Sequence, residues 1–176
     1  FIYTFEEGDA ADRMLLGGKG ANLCAMTQIG LNVPPGFVIT TAACLAYLEQ
    51  QRLPGTLMDD VRTHVAQLER KTGKTFGSAT RPLLVSVRSG SAMSMPGMMD
   101  TILNLGLNHE TEAGLAAAAG DPAFARACHE RFDRTYREVV GIGTVPADPW
   151  EQLRGAVEAV FRSWNSDRAR AYRAVE

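Results

Sequence analysis

"SVRSGSAMSMPGMMDTILNLG", residues 86–106, is the most unusual stretch of this chain and the one from which the rest is best read. Four of the chain's seven methionines, Met93, Met95, Met98 and Met99, fall within it, interleaved with Ser, Gly and Pro. A core strand holds less Gly and Ser than this, and a surface loop holds less Met. Just ahead, residues 83–87 form a β-branched apolar run suited to a buried strand, which delivers Arg88 into Ser89 and Gly90. Just beyond, residues 102–107 form a weaker strand candidate. Methionine commonly fills irregular gaps in cores. Here Ser94, Pro96 and Gly97 work against any regular helix or strand through 93–97. A loop lined by soft side chains also suits the flat face of an adenine ring. Asp100 and Thr101 follow, either as a polar latch or as a simple turn pair.

Residues 1–5 (FIYTF) alternate in the manner of a short strand, and 6–13 is a polar connector. A helix is expected over 21–29, stopped by Gly30. Pro34, Pro35 and Gly36 make a turn into a strand at 37–40, and Thr40 or Thr41 caps a helix reaching about Gln51. Leu57, Val61, Val65 and Leu68 recur at helical spacing, predicting a helix over 57–71. Residues 73–82 (GKTFGSATRP) read as a loop. After Asn108 the pattern is helical only: an Ala-rich helix ended by Gly120, then one marked by Phe124, Cys128, Phe132, Tyr136 and Val139. A break follows at 141–149. Leu153, Val157, Val160, Phe161 and Trp164 line the next helix, and a last one starts near Asp167. The expected fold class is α+β: an α+β subdomain over 1–107, a small all-helical subdomain over 108–149, and helices returning to the first over 150–176.

Composition sets bounds on function. The chain has 176 residues, 45% hydrophobic, with a formal net charge of −2, enough for a real core and without the basic field of a nucleic-acid binder. No apolar run approaches the ~20 residues of a membrane span, so neither nucleic acid nor membrane is expected as a partner. Cys24, Cys44 and Cys128 are odd in number and far apart. They fit buried thiols in a reducing cytoplasm better than a disulfide framework or a zinc site. The chain opens at Phe1 and stops at Glu176 inside a helical pattern, which reads as an excerpt of something longer.

The chemistry concentrates at two glycine-containing elements. "LLGGKGANL" (15–23) places Lys19 between Gly18 and Gly20 at a helix mouth, where free N–H groups, the positive helix end and a full charge suit an anion. It is not a Walker A loop, which needs Gly where Arg13 stands and Ser or Thr where Gly20 stands. Taken alone it also fits an ordinary helix start with a solvated Lys. Arg88 emerges at a strand end, and its guanidinium suits phosphate oxygens or a structural carboxylate equally. Two cations on separate Gly-containing elements raise the nucleotide reading above either one singly, because phosphoryl transfer is mostly positioning and charge stabilisation. Other candidates fade. His64, His109 and His129 show no partner at ligand spacing and are expected to be surface residues. Ser89 lacks a hydrolase elbow. Phe161 and Trp164 continue a core face, and Arg168, Arg170 and Arg173 form a solvated helix face.

"LLGGKGANL", "VPPGFVITTAAC", "GKTFG", "PLLVSVRSG", "SMPGMMDTILNLGLN", "AVFRSW" and "RARAYR" occur in the order seen in pyruvate phosphate dikinases. The chain resembles the N-terminal, nucleotide-binding part of that family over nearly its whole length, most densely from Leu15 to Asn108. The resemblance implies an ATP-grasp-type fold, with a mixed sheet and helices, plus the helical subdomain. It implies an enzyme, a phosphotransferase interconverting ATP, phosphate and pyruvate with AMP, pyrophosphate and phosphoenolpyruvate through a phosphohistidine on another domain. Lys19 and Arg88 match family residues expected to hold the triphosphate and stabilise charge. Gly18, Gly20, Ser89, Met98, Met99, Asp100 and Thr101 match positions beside the nucleotide. Mg²⁺ is implied, with ligands on the second ATP-grasp lobe, beyond this chain; that lobe and the phosphohistidine domain are implied partners, in a cytoplasmic homo-oligomer.

Three departures accompany the resemblance. Ala92 stands where the family commonly has a second arginine, removing one expected phosphate contact beside Met93. The stretch 141–149 is much shorter than its counterpart, so the helical subdomain is abridged. The second lobe is missing, so this chain alone is not expected to turn over. Two alternatives stay open: the nucleotide module of a water dikinase of the phosphoenolpyruvate synthase kind, and a non-catalytic nucleotide-binding or interaction module.

Overall fold

Asp12, Thr40, Asn108 and Asp121 each stand one residue ahead of a helix and accept a hydrogen bond from its first turn, at Leu15, Ala43, Thr111 and Phe124 respectively. Short polar side chains here satisfy N–H groups that no helical carbonyl can reach. In the computed structural model, which describes residues 1–90, 101–167 and 170, these caps delimit most of the helices. The element order is β1 (Ile2–Thr4), α1 (Arg13–Gln28), β2 (Phe37–Ile39), α2 (Thr41–Gln50), α3 (Leu57–Thr72), β3 (Thr75–Phe76), β4 (Pro82–Leu83), β5 (Val85–Arg88), β6 (Thr101–Leu105), α4 (His109–Ala119), α5 (Pro122–Val140) and α6 (Pro149–Ser163). Among the described residues, strands therefore precede residue 106 and helices alone follow, an α+β arrangement. The mixture of parallel and antiparallel pairing is distributed, among the described residues, over three two-stranded pairs: β1–β2 and β5–β6 antiparallel, β3–β4 parallel.

Two compact units divide the chain, one from Phe1–Leu68, Ser89–Met99 and Phe161–Glu176, the other from Glu69–Arg88 and Asp100–Val160. In the first, Phe5, Leu16, Ala21, Cys24 and Val38 form a core cluster. Each large apolar side chain so buried contributes about 1.5–3 kcal/mol. Small residues let the elements close up: a Cβ on Gly20 would stand 2.9 Å from Val38, and one on Gly36 would stand 2.7 Å from the Phe5 ring. The Gln28 amide holds the connector ahead of α1 by donating to the Gly8 carbonyl at 2.7 Å. Leu57, Val61, Val65 and Leu68 are all buried, as their spacing predicts.

In the second unit, α4 packs along α5. Gln152 of α6 is fully buried and fully used: the Gly106 N–H donates to its Oε1 at 2.9 Å, and its Nε2 donates to the carbonyls of Leu107 (2.9 Å) and Pro146 (2.8 Å). Tyr136 donates its hydroxyl to the Gln152 carbonyl at 3.0 Å. Phe76 and Trp150 meet edge to face at 4.9 Å between centroids.

Three local readings are corrected. The stretch read as a loop over 73–82 holds β3 and the start of β4. The strand expected to be buried is only half so: β5 alternates half-buried Val85 and Val87 with exposed Ser86 and Arg88, because a strand in a two-stranded pair keeps one face toward solvent. The helix expected from Ala21 begins at Arg13 and passes through the Gly-Lys motif with a break at Gly17.

Candidate nucleotide site and a second cluster

The break in α1 is a single residue. Gly17 has φ 70° and ψ 162°, a left-handed backbone that favours glycine, so the regular helix restarts at Gly18. A helix that restarts here turns the N–H groups of Gly18, Lys19 and Gly20 toward its own mouth, which is where anions bind. Lys19 is exposed, Gly18 half-buried and Gly20 buried against Val38.

Gly90 packs against this turn within the same unit. A Cβ on Gly17 would fall 1.5 Å from the Gly90 carbonyl oxygen, and one on Gly90 would fall 3.0 Å from Lys19 Cβ and 3.6 Å from the Gly20 nitrogen. Two glycine turns thus meet main chain to main chain. Neither Gly17 nor Gly90 stands out in the sequence as a site residue; the signal is their place in GGKG and SVRSG, and only the close approach explains it. Ser89, next to Gly90, is buried.

In the other unit, Arg88 ends β5, exposed, and lies in register with half-buried Thr101 of β6. Among the described residues neither Lys19 nor Arg88 has a carboxylate partner. Met98, Met99, Asp100 and Ala92 lie outside the described residues.

The histidines differ from expectation. His64 is half-buried, with Nδ1 2.7 Å from the Asp60 carbonyl and its ring 5.3 Å from that of Phe37. His109 and His129 do have partners. Glu112 follows His109 by three residues on one face of α4, and its Oε2 lies 2.5 Å from His129 Nδ1 on α5. The His109 and His129 rings meet edge to face at 5.4 Å. The i, i+3 pair is legible in "HETE"; His129 is not, because another helix carries it. The cysteines are free, but only Cys24 is fully buried. Burial pushes the Cys24 thiol up and the Cys44 thiol up to about 11.

Mg²⁺ finds no matching set here. Among the described residues the one group of three or more close ligands is His109, Glu112 and His129, and two nitrogens suit Mg²⁺ poorly.

An α+β chain whose helix mouth carries a Gly-Lys turn braced by a second glycine turn falls in the class of nucleotide-binding proteins by its matched family. Residues 13–58 and 52–176 match the family described as "Pyruvate phosphate dikinase, AMP/ATP-binding domain", and the chain belongs to that family. It is 41% identical over 219 residues to pyruvate, phosphate dikinase of Entamoeba histolytica, covering 98% of this chain and 25% of that protein. The enzyme of the same name from Rhizobium meliloti is 41% identical over 225 residues, with the same coverage of 98% and 25%. That of Clostridium symbiosum is 38% identical over 221 residues, again with 98% of this chain and 25% of the relative. The chain thus spans about a quarter of the length of these relatives. Each alignment runs over more positions than this chain's 176 residues, so the relatives carry additional residues inside the matched span. No helix among the described residues is long and apolar enough to cross a membrane.

Proposed function

We propose that this chain supplies one part of the ATP site of a pyruvate, phosphate dikinase, an ATP-grasp-type subdomain over 1–107 with an abridged helical subdomain over 108–149 and returning helices over 150–176. The observation that carries this reading is the family match over nearly the whole chain, together with the Gly17–Gly90 contact inside its two glycine motifs. Lys19 and Arg88 hold the triphosphate by direct charge, Lys as a point charge and Arg as a planar fork. Gly18, Gly20 and Ser89 offer main chain or hydroxyl at the phosphates, and Met98, Met99, Asp100 and Thr101 are assigned to the nucleotide by their match to the family's MMDT stretch. The reaction so served interconverts ATP, phosphate and pyruvate with AMP, pyrophosphate and phosphoenolpyruvate. Mg²⁺ ligands, the second lobe and the phosphohistidine come from beyond these residues, in a cytoplasmic homo-oligomer. Lys19 and Arg88 act in that setting by neutralising charge on oxygens that gain it as the pyrophosphoryl group moves.

Titration of the 176-residue chain with ATP tests the nucleotide part directly. Saturable binding that falls at least about tenfold in Lys19→Ala and in Arg88→Ala supports it. Equal affinity in both variants and the parent overturns the assignment of these residues.

A further inference from the structure

His109, Glu112 and His129 have no part in the nucleotide reading, yet the fold brings them to one place. Asn108 caps α4 and Thr111 closes a capping box with it; Thr111 is fully buried and donates its hydroxyl to the Gly106 carbonyl at 2.8 Å. That anchor fixes the first turn of α4 and with it the face carrying His109 and Glu112. On α5, His129 follows Ala125 by four residues and precedes Phe132 by three, so it shares the stripe of the buried Ala125, Phe132 and Tyr136. One nitrogen of each imidazole and one Glu112 oxygen all lie within 4.8 Å of one another.

We propose that His109, Glu112 and His129 form a site for a divalent transition metal of the zinc type, bridging α4 and α5. Two imidazole nitrogens and one carboxylate oxygen are a donor set that zinc accepts and that Mg²⁺ and Ca²⁺ do not favour. Metal–ligand distances of about 2.1 Å put tetrahedral ligand atoms about 3.4 Å apart. Binding would bring the three donors, now within 4.8 Å of one another, to that spacing: the exposed His109 side chain is the one free to adjust, and the 2.5 Å contact between His129 and Glu112 would open as the ion takes its place. Both ligating faces come from backbones already held, so little ordering opposes binding. His109 is exposed and Glu112 and His129 are half-buried, which gives the ion an entry path and leaves one coordination position for water. The link between the helices then runs through the metal in place of the direct His129–Glu112 contact.

Co²⁺ titration of the full 176-residue chain, read by visible absorption, tests this, with Zn²⁺ competition and thermal melts alongside. Expected are the d–d bands of a four- or five-coordinate nitrogen–oxygen site, displaced by Zn²⁺, and a Tm increase of about 5 °C at roughly a hundredfold excess of Zn²⁺ over its Kd. His109→Ala, at an exposed position, weakens Co²⁺ binding at least about tenfold without loss of helical circular dichroism, and Glu112→Gln does the same. Absent d–d bands and an unchanged Tm overturn the proposal. So do intense thiolate charge-transfer bands that survive His109→Ala, or an equal Tm increase with Mg²⁺.

Discussion

The carbonyl oxygen of Gly90 occupies the place where a side chain on Gly17 would begin, 1.5 Å from its ideal Cβ. Two requirements meet at Gly17: a positive φ of 70° that L side chains rarely adopt, and a neighbouring main chain that leaves no room for one. The break in α1, after which the regular helix restarts at Gly18, depends on both.

Gly17→Ala is therefore expected to destabilise the protein by at least about 2 kcal/mol. Gly30→Ala is its control, because Gly30 has φ 83° with nothing near its missing Cβ, so only the backbone cost applies, about 1 kcal/mol. Urea denaturation of the two variants separates strain from collision. Equal losses would show that the Gly90 contact contributes nothing.

Lys19→Ala and Arg88→Ala should leave the unfolding free energy within about 0.5 kcal/mol of the parent. Both side chains are exposed and have no carboxylate partner among the described residues. A cation kept for stability would cost more on removal. Denaturant midpoints at constant slope provide the measurement.

Gln152→Leu preserves approximate volume and strips three hydrogen bonds from a fully buried site. It leaves the Gly106 N–H and two carbonyls without their partner, and the expected loss is about 3 kcal/mol or more. Amide exchange at Gly106 should quicken, since its only bond of this kind ends on Gln152 Oε1 among the described residues.

Stability should fall at alkaline pH in two overlapping windows. Burial raises Cys44 from 9.0 to about 11, and burial followed by the charges of Glu158 and Glu151 raises Tyr136 from 10.0 to about 12. Both groups stay neutral longer in the folded protein, so their contribution is complete below the unfolded values. It is lost as pH rises through 9–11 for Cys44 and 10–12 for Tyr136. Melting temperature against pH should show this decline, and Tyr136→Phe should remove the upper part. Iodoacetamide should also label Cys44 slowly at neutral pH, because so little thiolate is present.

Helix α3 was legible because Leu57, Val61, Val65 and Leu68 repeat at helical spacing and all four are buried. The cap at Thr40 is equally local: its hydroxyl accepts from the N–H three residues on. The course of α1 was less so, since a glycine inside a helical pattern gives no sign of whether it bends the chain or merely fits. Strand β5 misled in burial because an apolar run does not say how many partners a strand will have.

By itself the sequence determined the α+β order, the helix at Leu57–Leu68 and the family, because periodicity, capping and the run of motifs are all properties of neighbouring residues. Tertiary structure alone decided that Gly90 closes on Gly17, that Gln152 satisfies three distant backbone groups, and that His129 meets Glu112. Each of those joins groups on separate elements, and its geometry follows from how the elements pack. Local sequence pattern carries no term for that.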